Sequence, residues 1–342
     1  MTNEQNEKRK VAFIAEYCKT KGIYPFERII ALHELLEGHD QFVFIQTNEP
    51  YVLQLFEETS ITPILFDSFK QLQKTFRSME FDLAIIDGRD LQKEQLESIL
   101  PYAKCIVTLD QFGDATMQTP YNLYCVAPEP LQFEQPDAVI GTTGFALPKQ
   151  LKQLTKTPQK AVTTPHIVIY FEDGDQDNLT YRTLRHLTQL QIPLKITIIL
   201  DELYNHPTDD LQLMALSRRH TTIRRGCSEF YNLLPQANIL IGNALYTPYK
   251  VATVGVPYIA LAQNELQVQN FYVKESNGFI HLGLGRKIKQ SSLQNAVMEL
   301  LLHEERRNRA IQRQKMLRLS QNNDVLKALL HDLALGEYKV TL

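Results

Sequence analysis

Several residues in this chain are of a type and spacing that can do chemistry. Asp87 and Asp110 close two apolar runs, Leu83-Ala84-Ile85-Ile86 and Ile106-Val107-Thr108-Leu109, so each stands at the end of a buried strand. A carboxylate there can act as a general base or accept a substrate hydroxyl, and it can equally cap the next turn or helix. The stretch Ile241 to Pro257, IGNALYTPYKVATVGVP, breaks a strand at Gly242, begins a helix near Thr247, stops it at Gly255 and leads into Tyr258-Ile259-Ala260-Leu261-Ala262. This is a βαβ unit whose helix N-terminus offers backbone N–H groups to an anion such as a diphosphate, although an ordinary crossover has the same pattern. Arg218, Arg219, Arg224 and Arg225 form a basic cluster that suits either phosphate attraction or a solvated face. His33 shares an apolar stripe with Phe26, Ile29 and Ile30, the pattern of a core histidine rather than a base.

Other chemistries are excluded. The chain has no G-x-S-x-G elbow, HExxH, P-loop or GxGxxG. Cys18, Cys105, Cys125 and Cys227 are far apart and form no CxxC pair, so they read as reduced thiols. No cluster suggests a metal and no motif suggests a cofactor. A net charge of −3 argues against a nucleic-acid partner. No apolar run approaches the ~20 residues of a membrane span, and the polar start MTNEQNEKRK does not resemble a signal peptide, so a cytoplasmic protein is expected. Nothing in the pattern fixes an oligomeric state.

The elements that must carry these residues alternate. With 342 residues, 44% hydrophobic and 22% charged, two ordinary globular domains are expected. Strands are predicted at Val11–Ala15, Phe42–Ile45, Ile64–Phe66, Leu83–Ile86, Ile106–Leu109 and Tyr124–Val126, with helices between them, one opening at Pro25. Residues 127–164, punctuated by Pro128, Pro130, Pro136, Pro148 and Pro158, read as a connection. A second alternating series follows: strands at Ile167–Phe171, Leu194–Leu200, Thr221–Ile223, Ala237–Ile241, Tyr258–Ala262 and Phe279–Leu282, a helix at Glu265–Ser276, and a charged helical tail from Ser291 to about Leu335. The fold class is α/β: two Rossmann-like domains with a ligand cleft expected between them.

Four stretches carry a family resemblance. Gly22-Ile23-Tyr24-Pro25-Phe26-Glu27-Arg28 sits where the family has G-x-G-H-x-x-R. Phe171-Glu172-Asp173-Gly174-Asp175-Gln176-Asp177-Asn178-Leu179-Thr180 resembles F-G-G-S-D-P-x-N-L-T. Ile241 to Pro257 matches I-G-x-G-G-S-T-x-W-E-x-x-x-x-G-x-P without a gap, and Asn264 with Gln267 sits at an asparagine–glutamine pair. On these residues the chain resembles the nucleotide-sugar hydrolases of pseudaminic acid synthesis and their relatives among spore coat polysaccharide biosynthesis proteins. These share the two-domain GT-B fold of the peptidoglycan UDP-N-acetylglucosamine transferase. The resemblance implies two Rossmann-like domains facing across a cleft: residues 1–150 on the acceptor or sugar side, a linker at 151–164, a nucleotide-binding domain at 165–303, and helices at 304–342 packing back on the first domain. It implies a UDP-sugar or related nucleotide-sugar partner, met by Asn178, Thr180, Gly242, Asn243, Thr247, Lys250 and Gln267, with Gly22, Tyr24 and Arg28 in a sugar or phosphate loop.

The departures fall on the chemistry. The family's histidine position is Pro25, which cannot act as a base. Glu172 and Asp173 replace two glycines and bring negative charge toward the expected diphosphate. Lys250 stands where a glutamate accepts ribose hydroxyls; an ammonium has no acceptor but can meet a phosphate. Asp87 and Asp110 are left as candidate bases. Arg28 also suits a local pair with Glu27 or Glu34. Three functions fit: a nucleotide-sugar binding or processing protein of surface polysaccharide or nonulosonic-acid-type sugar synthesis, a GT-B glycosyltransferase acting on an acceptor hydroxyl, or a non-catalytic partner that keeps the fold.

Overall fold

A computed structural model describes residues 8–19, 21–88, 90–112, 119, 121–125, 138–140, 144–154 and 164–336. The chain divides into two units, Met1–Pro148 with Gln321–Leu342, and Lys149–Ser320.

The first unit runs β1 (Lys10–Glu16), α1 (Tyr24–Leu35), β2 (Asp40–Gln46), α2 (Pro50–Glu57), β3 (Ile64–Leu65), α3 (Phe69–Ser78), β4 (Phe81–Asp87), α4 (Lys93–Ile99), β5 (Ala103–Leu109), β6 (Tyr121–Tyr124) and β7 (Ala138–Ile140). The second runs α5 (Lys149–Lys152), β8 (His166–Tyr170), α6 (Leu179–Thr188), β9 (Lys195–Leu200), α7 (Asp209–Leu216), β10 (Thr221–Arg225), α8 (Ser228–Leu233), β11 (Ile239–Gly242), α9 (Thr247–Val254), β12 (Tyr258–Ala262), α10 (Glu265–Val268), β13 (Phe279–Leu284), α11 (Gln290–Leu302) and α12 (Glu304–Met316); α13 (Asn322–Leu335) then belongs to the first unit.

Each unit holds one sheet, ordered β3-β2-β1-β4-β5-β6-β7 and β10-β9-β8-β11-β12-β13, and the strand pairs are parallel. Both orders reverse direction beside the first strand of the unit, at β1/β4 and β8/β11. Such switch points leave a crevice at the carboxyl ends of the strands. The central strands are buried along nearly their whole length, as parallel strands covered on both faces must be. Phe44, Phe76 and Phe81 pack together under the first sheet, with the last two ring centroids 4.6 Å apart. Ile167, Ile169, Ile198, Ile241 and Ile259 form the matching layer of the second.

Three details depart from the sequence expectation. β7 lies inside the stretch read as a connection; three residues are too short a run to show a period. Val126, Pro128, Pro130, Pro136 and Pro158 lie outside the described residues. The helix expected over Glu265–Ser276 ends at Val268, and Asn270 instead turns its amide onto the carbonyls of Ala244 and Leu245 at 3.0 and 3.1 Å. The charged tail is three helices. α11 and α12 meet at the non-helical His303, and Arg318 (φ +51°) turns the chain before α13. α12 packs on α9 and α11, whereas α13 packs on α1 and β4 of the first unit. Arg224 and Arg225 extend edge strand β10, and Arg218 donates to the carbonyls of Leu187, Leu190 and Ile192, closing the end of α6.

Among the described residues, no helix is long and apolar enough to cross a membrane.

Candidate functional site

In the first unit the polar residues gather at the β1/β4 switch point. The loop after β1 turns at Gly22, whose φ of +60° favours glycine, and its N–H bonds to the carbonyl of Cys18 at 2.9 Å. Pro25 lies in the buried first turn of α1. One turn further on, Arg28 is fully buried and bridges two strand ends: Nε to Asp87 Oδ2 at 2.6 Å and Nη1 to Asp110 Oδ2 at 2.7 Å. Asp87 Oδ1 accepts the N–H of Gly88 at 2.7 Å, and Asp110 Oδ1 accepts that of Cys125 at 2.7 Å. The Arg28 guanidinium lies 5.1 Å from the Tyr24 ring, which stacks on Phe145 at 5.7 Å.

Asp87, Asp110 and Arg28 thus join β4, β5, β6 and α1 through charge-assisted hydrogen bonds. Burial, then the nearby Cys125, pushes the Tyr24 phenol well above its ordinary range. Burial and Asp110 likewise hold Cys125 as a thiol.

Lys21 is a member of this cluster that sequence reasoning missed. Its ammonium donates to the carbonyls of Gly88, at 2.6 Å, and Asp110, and to Asp90 Oδ1 at 3.3 Å. A lysine in a loop carries no sequence signal for burial; only its position directly after β1 hints at it.

The second cluster lies at the β8/β11 switch point, where Gly242 pairs with Tyr170. A Cβ at Gly242 would stand 2.3 Å from the Tyr170 carbonyl oxygen and 2.6 Å from Tyr258 Oη, so only glycine fits. Tyr258 Oη donates to the carbonyl of Asn243 at 2.6 Å. The Asn243 side-chain oxygen lies 2.9 Å from Thr247 Oγ1 at the start of α9, and Thr247 also donates to Glu172 Oε2. The other oxygen of Glu172 accepts Lys250 Nζ at 2.6 Å; Lys250 is 1% exposed and Glu172 6%. Gln267 Oε1 accepts the N–H groups of Ala244, at 3.1 Å, and Gln263, at 3.0 Å.

The turn before α6 is organised by Asp175. Its carboxylate takes the N–H groups of Leu179 and Thr180, both at 2.7 Å, so it occupies the anion-binding start of that helix. Burial pushes Asp175 up to about 6 against those hydrogen bonds. Asn178, at φ +50°, accepts Tyr204 Oη at 2.9 Å. Asp201, at the end of β9, accepts the N–H of Gly174 at 3.1 Å and is raised to about 7, chiefly by burial.

The structure therefore brings Thr180, Gly242, Asn243, Thr247, Lys250, Gln267 and Asn178 to the switch point of the second unit's sheet, and Gly22, Tyr24, Arg28, Asp87 and Asp110 to that of the first unit's sheet. Sequence reasoning did not find Asp201, Gln263 or Asn270, nor that Glu172 and Lys250 are partners. Among the described residues, no group of three or more histidine, cysteine or carboxylate side chains is placed to hold a metal.

No family model matches the chain. An uncharacterised protein of Methanocaldococcus jannaschii is 20% identical over 276 residues, 75% of this chain and 56% of that protein; the chain spans about half the length of this curated relative. The crystal structure of Acinetobacter baumannii MurG superposes with a TM-score of 0.68 at 14% identity, covering 94% of this chain and 99% of that one. A putative UDP-N-acetylglucosamine 2-epimerase from Listeria monocytogenes gives 0.65 at 11% identity, covering 97% and 98%. The UDP-GlcNAc 2-epimerase of Neisseria meningitidis, bound to UDP-GlcNAc, gives 0.59 at 10%, covering 94% and 99%. The chain has the two-domain, Rossmann-like GT-B fold of these structures.

Proposed function

We propose that this chain is a cytoplasmic nucleotide-sugar binding or processing protein that works with UDP-sugars in surface polysaccharide or nonulosonic-acid-type sugar synthesis, and that it lacks the hydrolysis of the family it resembles. One observation carries the reading. Two of the four resembling stretches, Phe171–Thr180 and Ile241–Pro257, meet at the β8/β11 switch point, where α6 and α9 begin. Helix starts at that edge of a parallel sheet suit a diphosphate. The GT-B fold and the UDP-sugar named for its structural neighbours support the same ligand class. The missing hydrolysis rests on Pro25 and on Asp87 and Asp110, which are buried against Arg28. General acid–base catalysis typically contributes ~10²–10⁴-fold, so its loss leaves a poor hydrolase.

A second reading, a non-catalytic partner protein, is favoured by the pairing inside the second unit. Thr247 and Lys250 are both engaged by Glu172, and the start of α6 by Asp175. Calorimetry with UDP and UDP-N-acetylhexosamine separates the two, with binding expected. Incubation with UDP-, GDP- and CMP-sugars, following released nucleotide, is expected to give no multiple turnover without an acceptor. Turnover only with an acceptor makes the protein a glycosyltransferase; turnover without one refutes the loss of hydrolysis; no binding leaves the partner reading.

A further inference from the structure

We infer that the C-terminal half of α13 is a pH-gated latch, held to the first unit by a histidine pair that works only while both rings are neutral. His39 follows the turn at Gly38 (φ +106°) and faces His331 of α13, with 3.1 Å between His39 Nε2 and His331 Nδ1. The backbone fixes which nitrogen carries the proton. The N–H of Arg9 points at His39 Nδ1 at 3.4 Å, and Arg9 is itself held because its carbonyl accepts the N–H of Asp40 at 2.9 Å. Nδ1 is therefore an acceptor, so in the neutral ring Nε2 carries the hydrogen and donates to His331.

A proton added to either ring breaks this chain. On His331 it sets an Nδ1–H against the Nε2–H of His39. On His39 it sets an Nδ1–H against the N–H of Arg9. Moving His39 to its other tautomer relieves the first clash only by creating the second. Each outcome faces two N–H groups head-on across a hydrogen-bond distance in this half-buried contact, and the hydrogen bond is lost.

The charges around the pair do not offset this. Arg9, Asp40 and Asp82 face His39, while Glu37, Asp324 and Lys327 line the groove beside both rings. Asp82 is engaged by Lys104 at 2.7 Å and by the N–H of Lys10 at 2.9 Å, and exposed Asp40 faces Lys8 at 3.9 Å. Burial, His331 and Arg9 together hold His39 below its ordinary value against the two carboxylates.

The other end of α13 has no such switch. Asn322 donates to the carbonyl of Phe145 at 3.2 Å, and Asn323 exchanges hydrogen bonds with Leu147 at 2.7 and 3.0 Å. Amides do not titrate in this range. Acid should therefore loosen the helix from His331 outward and widen the groove lined by Leu35, Leu36 and Leu335.

Hydrogen exchange on the full chain tests this. One proton taken up across one pH unit below ~6.5 is worth up to about tenfold. Between pH 7.5 and 5.5, protection corrected for intrinsic rate should fall about tenfold over residues 327–336 and stay level over 322–326. His39→Gln should abolish the fall while keeping protection at pH 7.5, because its amide can present nitrogen or oxygen to His331. Independently of any variant, nitrogen-15 spectra of the imidazoles at pH 7.5 should show His39 protonated at Nε2. Equal protection at both pH values, an acid response that survives His39→Gln, or a His39 proton on Nδ1 would each overturn the latch.

Discussion

Removing the carboxylate of Glu172 is the sharpest perturbation the second unit offers. Glu172→Ala deletes the 2.6 Å partner of Lys250, an ammonium that is 1% exposed, together with one acceptor of Thr247. Breaking a buried pair from one side typically costs about 3–5 kcal/mol, because the remaining charge stays desolvated without its counter-charge. At about 2–4 °C per kcal/mol, the thermal midpoint of the second unit should drop by roughly 6–20 °C. Lys250→Met should cost a similar amount, leaving Glu172 with the Thr247 hydroxyl but no cation. The double change Glu172→Leu with Lys250→Met removes both charges together and should recover most of the loss, since apolar residues often replace a buried pair at little cost. Calorimetric unfolding of the unmodified protein, Glu172→Leu, Lys250→Met and the double variant gives the coupling energy directly. Single variants that each cost less than about 1 kcal/mol, as exposed pairs do, would refute the reasoning. The same cycle bears on the ligand. While Glu172 holds Lys250, that ammonium is not available to a phosphate. Lys250→Met should thus leave UDP affinity within tenfold of the unmodified protein, a window of about 1.4 kcal/mol.

Two further outcomes follow from the buried acids. Arg28→Lys should destabilise the first unit almost as much as Arg28→Ala, by about 3–5 kcal/mol in denaturant unfolding, because a point charge cannot bridge Asp87 and Asp110 as a planar fork does. Asp201, raised to about 7 in the fold from an ordinary carboxylate value near 3.8, favours the folded state at low pH: its contribution is complete below about pH 4 and is lost as pH rises through about 7. Asp201→Asn, which keeps an acceptor for Gly174, should stabilise the second unit at pH 8 by on the order of 2–4 kcal/mol and flatten its stability between pH 4 and 8.

The two sheets were legible because parallel strands buried on both faces write themselves as short apolar runs, and the runs ending at Asp87, Leu109 and Gly242 are close to the observed strands. The breaks were legible where glycine is obligatory, as at Gly242 and Gly255. β7 and the early stop of α10 were not: a three-residue strand shows no period, and α10 ends where the Asn270 amide is captured by carbonyls of a loop more than twenty positions away. Local reasoning also offered Arg28 only partners close in sequence. Glu27 and Glu34 are near it in sequence, whereas its side chain bridges acids 59 and 82 positions on.

Glu172 and Lys250 show the same limit in a sharper form. Taken singly, each is a departure from the resembling family that harms a nucleotide site: one brings negative charge toward a diphosphate, the other removes an acceptor. Taken as a pair 78 positions apart, they compensate each other, and the charge that Glu172 brings is answered by the charge that Lys250 brings. Asp175 neutralises the start of α6 in the same way, with a carboxylate where an external anion could sit. Residue type and position at the carboxyl edge of a parallel sheet thus identify candidates for chemistry, but availability decides between a ligand contact and a structural tie. Availability depends on the partner, which folding brings from another part of the chain and no local period encodes. Among the predicted residues, Asn178 is only partly buried on the turn at the start of α6, with its side-chain oxygen taken by Tyr204, whereas Thr247 and Lys250 must first give up Glu172 before they can hold a ligand.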